Sequence, residues 1–176
     1  GCRGVGEGVL CGAPYWRRLW ERVDRLRHRA EGEVLAGALR GLAARAGDRD
    51  LRYGAWHGDW SPWNMATLPT TVLLWDWERF ATGVPLGFDA LHLHLQRGLA
   101  AGRDPVTAAT ATVAAAGQLL APFQVPPAAA AVTALLYLVE LATRYLADGQ
   151  ATAGARFGAV GGWLLPVLTD RLAGLR

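Results

Sequence analysis

Residues 56–90 read WHGDWSPWNMATLPTTVLLWDWERFATGVPLGFDA, and the order of loop, strand, turn and helix start within them decides how the rest of the chain is read. His57-Gly58-Asp59 opens a loop that reaches Asn64 five residues after Asp59. Val72-Leu73-Leu74-Trp75 follows as a short apolar strand ending in Asp76-Trp77-Glu78. Gly83-Val84-Pro85 turns the chain toward Asp89 at the start of a helix. An Asp and an Asn on one curled loop, with a second Asp at the end of a buried strand, make a set of hard oxygen donors. Magnesium takes one or two carboxylates and fills its other positions with water and phosphate. Transfer of a phosphoryl group also needs a carboxylate beside the attacking hydroxyl. Asp59 suits the hydroxyl, and Asn64 and Asp76 suit the metal.

His57, Asp59 and Asn64 stand at the spacing of the kinase catalytic loop, His-x-Asp, four residues, then Asn. Together HGDWSPWN, LLWDWE and the G-x-P-x-x-x-D from Gly83 to Asp89 resemble the aminoglycoside phosphotransferase and choline kinase-like family. The likeness is densest from Trp56 to Ala90 and extends into the helical remainder. It implies a protein-kinase-like small-molecule kinase using Mg2+ and ATP, or another nucleoside triphosphate, with a small-molecule hydroxyl acceptor. The fold expected is α+β and mostly helical: a C-terminal lobe in which a small β element carries the catalytic loop. By the same resemblance Asp59 is the catalytic base, and Asn64 and Asp76 bind magnesium and, through it, the nucleotide. His57 braces the loop, and Asp89 ties it to the following helix. Ser61 stands where His is frequent in the family, and Trp63 where Gly is frequent. Asp-Trp-Glu replaces Asp-Phe-Gly and no Ala-Pro-Glu occurs, which argues against a protein kinase. A metallophosphoesterase would need Asp-x-His and Gly-Asn-His, and neither string is present.

The 176 residues are 52% hydrophobic and 19% charged, the balance of a globular domain. All 18 basic residues are Arg. Kinases of this fold hold nucleotide phosphates with a Lys from a strand of an N-terminal lobe. No residue here can be that Lys. Residues 14–176 are therefore expected to be the C-terminal lobe, with the N-terminal nucleotide lobe absent from the chain and the chain alone inactive. Residues 1–13, GCRGVGEGVLCGA, lack the G-x-G-x-x-G order of a phosphate loop and read as a linker or ragged lobe boundary. Cys2 and Cys11 have no metal-ligand or disulfide pattern. No signal peptide and no continuous run of about 20 apolar residues is seen, so a cytoplasmic protein without a membrane span is expected.

Net charge is +3, with eleven Arg against seven acids through Trp56 and seven against eight beyond it. The Arg18, Arg22, Arg25, Arg29 stripe on the first helix reads as a solvated face, Glu21 supporting Arg25 one turn on, rather than a nucleic-acid surface. That helix starts at Pro14 and packs Leu19, Val23, Leu26 and Ala30 inward. Gly32 marks a break before a helix over Glu33 to Ala46. Leu51 to Trp56 is a strand. Trp56, Trp60, Trp63, Trp75 and Trp77 are mostly core wall, with Trp60 and Trp63 the two placed to touch a ligand. Glu78 either supports the metal or pairs with an Arg. A helix follows over Phe88 to Leu99, and on it His92 and His94 fall on different faces and make no metal pair. Further helices are expected from Asp104 to about Leu120, from Pro126 to about Leu146, and from Gly154 to Leu175 with a bend at Pro166. After Arg79 the acids are only Asp89, Asp104, Glu140, Asp148 and Asp170, against seven Arg counting Arg79. A polycationic aminoglycoside is a poor acceptor for such a set. The other reading is a non-catalytic binding domain of pseudokinase type, for which the missing Lys speaks and the complete Asp59, Asn64, Asp76 set does not.

Overall fold

Long Ala- and Leu-rich segments punctuated by Pro and Gly make the frame helical. The computed structural model describes residues 6–175, and these form an α+β fold, 60% helical with small antiparallel sheets. The longest helix, α6 (Pro127–Ala147), begins where Pro126 cannot continue a preceding helix and Pro127 pre-sets the first turn. Sixteen of its 21 residues are buried. Around it pack α1 (Pro14–Asp24), α2 (Ala30–Ala46), α3 (Phe88–Ala100), α4 (Pro105–Ala114), α5 (Ala116–Leu120) and α7 (Leu164–Ala173). Among the described helices α6 alone is long and apolar enough to cross a membrane, and 89% of its apolar window is buried within the chain. Its apolar surface is that of a core helix.

The strands position the loop. Antiparallel β1 (Gly6–Val9), β2 (Asp50–Trp56) and β5 (Ala81–Pro85) lie in the order β1-β2-β5. A register shift at Gly54/Ala55 breaks the β2–β5 ladder just before the loop begins, a place where bulges re-aim a strand. A separate two-stranded hairpin joins β3 (Met65–Thr67) to β4 (Val72–Leu74), with Met65 opposite Leu74.

Several expectations change. Residues 6–13 are not a linker: Gly6–Val9 pairs with β2 and Leu10 is fully buried. The first five residues of that stretch, Cys2 included, lie outside the described residues. Gly32 does not interrupt a helix. It sits in the first turn of α2, where a Cβ would lie 2.0 Å from the Leu26 carbonyl oxygen, so the close passage of two turns requires Gly. The Arg stripe is not simply solvated. Arg22 pairs with Glu140, a carboxylate only 4% exposed that also accepts a hydrogen bond from the Tyr15 hydroxyl at 3.2 Å. Arg18 donates to the Gly83 carbonyl at 3.0 Å and Arg29 to that of Leu146 at 3.1 Å. Guanidinium forks on long stems tie α1 to β5 and α6. The helix after Asp104 breaks at Ala115, bending by 56° into the next segment. Pro166 lies in the first turn of α7, where Pro is tolerated, so the expected bend is instead a helix start.

Candidate functional site

β2 delivers the chain to His57, and Gly58 reverses it. Gly58 has φ +89°, and a Cβ there would lie 2.3 Å from the Arg79 carbonyl oxygen. Backbone strain of this kind costs about 1–3 kcal/mol, and the contact adds to it. Gly58→Ala is accordingly expected to lower the unfolding free energy by at least about 2 kcal/mol, read from urea unfolding. An unchanged midpoint would show that the loop has another conformation.

Asp89, in the first turn of α3, holds the reversal from below. Its Oδ2 accepts from the His57 backbone N–H at 2.8 Å and its Oδ1 from that of Gly58 at 3.3 Å. Burial raises the Asp89 carboxyl pKa above its usual value, the two N–H groups only partly countering it. The His57 ring is 2% exposed. Its Nε2 donates to the Trp75 carbonyl at 2.9 Å, leaving Nδ1 to accept from the Asp59 N–H at 3.3 Å. One imidazole thus joins the loop at Asp59 to the residue before Asp76. His57 braces the site and does not line the cavity described below.

Asp59 itself is held at both oxygens. Oδ2 accepts from Asn64 Nδ2 at 2.9 Å, and Oδ1 lies 3.1 Å from His92 Nε2. The same Asn64 amide nitrogen reaches the Asp59 carbonyl at 3.0 Å, curling the loop. Asn64 Oδ1 therefore faces away from Asp59. The hairpin then brings the later Asp close: the Trp75 N–H donates to the Asn64 carbonyl at 3.3 Å, putting Asn64 and Asp76 at neighbouring ends of one ladder. Asp76 has φ 65° and is exposed. A left-handed Asp is uncommon and marks a place where the chain holds a side chain in a set direction. An amide oxygen on the buried Asn64 and an exposed Asp76 carboxylate at adjacent ladder ends fit magnesium, which needs few protein ligands. Among the described residues no group of three or more His, Cys, Asp and Glu gathers as a metal cage.

The residue that sequence reasoning missed is His92. It is fully buried in α3, and its Nδ1 lies 2.9 Å from the Tyr137 hydroxyl of α6. Tyr137 donates to Nδ1 and Nε2–H donates to Asp59, a chain of hydrogen bonds that orients the carboxylate. The 33-residue separation hides the pair. The spacing of His92 to Asp89, one helical turn, was the available signal.

Burial acts to raise the Asp59 carboxyl pKa, but the His92 hydrogen bond, the Arg144 charge and the Asn64 amide more than offset it, so it is held below its usual value. His92 and Asp59 pull on each other in opposite senses. Enclosure, aided by Arg144, lowers the imidazole pKa despite Asp59, so the ring is neutral and helps Asp59 through its N–H rather than through an ion pair. A consequence for pH follows. As pH falls through about 6.5, the usual His value, unfolded His92 takes up a proton that folded His92 resists. The unfolded state then binds more protons and stability falls. His94, lowered by burial and by Arg103 and Arg97, adds to that slope. The Asp59 contribution is present above the usual carboxylate value of about 4 and is lost only as pH falls through its lower folded value. Urea unfolding at stepped pH is expected to show declining stability below about pH 6.5, less steep in His92→Gln. Asp89, its pKa raised by burial, opposes this slope where it takes up its proton, so an equally steep decline in His92→Gln would contradict the account.

The face of Asp59 opposite the loop lines a cavity of about 400 Å³ between α3, α6 and the segment following α6. Trp63 lines it, whereas Trp60 turns to another groove, its Nε1 on Met65 Sδ at 3.3 Å. Of the five Trp residues around the loop only Trp56 is a core wall. Trp63, Trp75 and Trp77 are 55%, 45% and 51% exposed, and Val72 and Leu73 are exposed with them. The strand before Asp76 is thus not buried, because the hairpin stands clear of the helices. Glu78 lies on a 3-10 turn, not a strand, with Oε1 3.4 Å from Arg79 Nε.

No protein-family model, curated protein or solved structure matches the chain.

Proposed function

We propose that this chain carries the catalytic loop of a magnesium- and ATP-dependent phosphotransferase acting on a hydroxyl of a small molecule, within a C-terminal lobe of protein-kinase-like kind. The observation that carries the reading is the Asp59 carboxylate. It is fixed at both oxygens, is hydrogen-bonded to Asn64, whose carbonyl accepts from the residue before Asp76, and opens on a cavity of small-molecule size. Each carboxylate oxygen keeps a lone pair for an incoming hydroxyl. Asp59 orients that hydroxyl and accepts its proton as the oxygen bonds to phosphorus and the bond to the leaving nucleoside diphosphate breaks. The depressed carboxyl pKa keeps Asp59 ionised at neutral pH. His92 and Asn64 stop the carboxylate from rotating, and His57 fixes the distance between loop and hairpin. Asn64 Oδ1 and the Asp76 carboxylate would hold magnesium, which neutralises charge on the phosphates when bound.

Such a protein would work in the cytoplasm, where ATP is made and used. The test is Asp76→Ala, expected to weaken both magnesium-dependent ATP binding and transfer. Normal turnover in this variant would overturn the assignment. The second reading, a non-catalytic binding domain, is favoured by one observation: none of the 18 basic residues is Lys. It predicts ligand binding with no transfer in the polypeptide as its cell produces it.

A further inference from the structure

The cavity beside Asp59 has a charge pattern that bears on the acceptor. Three guanidinium groups, from Arg79, Arg144 and Arg156, line it against two carboxylates, from Asp59 and Glu78, a net charge of +1. Their commitments differ. Arg79 is 3.0 Å from Asp148 Oδ2 and 3.4 Å from Glu78. Arg144 donates to the Gly58 carbonyl and lies 5.5 Å over the Trp56 ring. Arg156 makes no ion pair among the described residues, and its guanidinium lies 5.0 Å over the Phe157 ring. Stacking orients a guanidinium plane and leaves its N–H edge free.

Four acids outside the cavity are already engaged. Asp89 braces the loop, Asp104 caps α4 at 2.9 Å from the Thr107 N–H, Glu140 pairs with Arg22, and Asp148 with Arg79. A polycation entering the cavity would meet one carboxylate without an Arg partner, Asp59, which already accepts from His92 and Asn64 and whose remaining lone pairs the proposed reaction needs. Gln96 and Tyr145, both buried, and Gln150 offer neutral hydrogen-bonding groups, and Leu99 and Phe157 an apolar wall. That combination suits a small polyhydroxy skeleton bearing negative charge.

We propose that the acceptor is a hydroxy compound carrying one carboxylate or phosphate group, seated with its anionic group on Arg156 and a hydroxyl at Asp59. This rests on the phosphotransferase reading for the role of Asp59, while the anion site itself rests on the cavity. An Arg with an aligned oxyanion forms a paired, charge-assisted contact, and the neutral or aminated counterpart cannot.

The experiment is calorimetric titration of the chain with D-gluconate, D-glucose 6-phosphate, D-glucose and D-glucosamine at one ionic strength. At least one of the two acids is expected to bind about tenfold or more tightly than glucose, with glucosamine weaker still. Whichever acid binds identifies the carboxylate or the phosphate as the anchor. Arg156→Gln is expected to remove most of the preference without shifting the thermal midpoint, since Arg156 lies on an exposed segment. Binding of neither acid, glucose or glucosamine matching the acids, or full retention of the preference in Arg156→Gln would overturn the proposal. Transfer has a separate readout. Arg156-dependent acid binding with no phosphate moved from ATP would sink the phosphotransferase reading and leave the anion site standing. Phosphorylation of glucosamine alone would do the reverse.

Discussion

Asp59→Ala is expected to lower phosphate transfer by about 10²–10⁴-fold, the range for loss of a positioned general base, while leaving magnesium–ATP binding intact. The separation follows from geometry. Asp59 faces the cavity, and its two oxygens are occupied by His92 and Asn64, so its removal takes away the group that meets the hydroxyl. Asn64 and Asp76 do not line the cavity, and Asn64 keeps its bond to the backbone carbonyl of residue 59. Asp59→Asn should fall nearly as far, because an amide keeps the shape but cannot take a proton at neutral pH. Comparable transfer by Asp59→Ala and the parent chain would remove Asp59 from the chemistry. Loss of ATP binding in the same variant would place it among the nucleotide ligands instead.

The second large effect concerns stability. Asp89→Ala leaves the backbone N–H groups of His57 and Gly58 without their acceptors. A hydrogen bond to a charged group contributes about 1.5–3 kcal/mol, and burial already disfavours the Asp89 charge. The expected loss is therefore about 3 kcal/mol rather than the sum for two full bonds. Asp89→Asn, which keeps one good acceptor, should lose about half of that. Urea unfolding measures both. Equal midpoints for Asn and Ala would show that the carboxylate is not the brace. Transfer should fall in step with the loosened loop, because His57 N–H and Asp59 lie on the same reversal.

Short-range order was legible in the sequence, and long-range packing was not. The strand into the loop, the helix starting near Asp89, the Asp104 cap and the helix start expected at Pro126 all follow from local chemistry, and each is found within a residue or two. The Asp89 brace was available only through family resemblance, yet its contacts are those the resemblance implies. His92 was invisible because its partners, Asp59 and Tyr137, lie 33 and 45 residues away. The Arg stripe misled for a related reason. Helical spacing places Arg18, Arg22 and Arg29 on one flank, but it cannot reveal that β5 and α6 come to meet that flank. Exposure of Val72, Leu73 and Trp75 contradicts the usual meaning of an apolar strand, since a hairpin two strands wide has nothing packed over it. Gly6–Val9 looked like a linker because three of the residues from Gly4 to Gly8 are Gly, whereas its pairing with β2 uses backbone groups that composition does not record.

The phosphotransferase reading is tested most directly by following phosphorus. The polypeptide as its cell produces it would be incubated with magnesium and ATP and with gluconate, glucose 6-phosphate, glucose or glucosamine, and the products read by phosphorus NMR. The account predicts a new phosphate monoester in step with nucleoside diphosphate, abolished by Asp59→Ala and by removal of magnesium. A monoester that forms equally well with Asp59→Ala, or no monoester from any acceptor shown to bind beside Asp59, would contradict it.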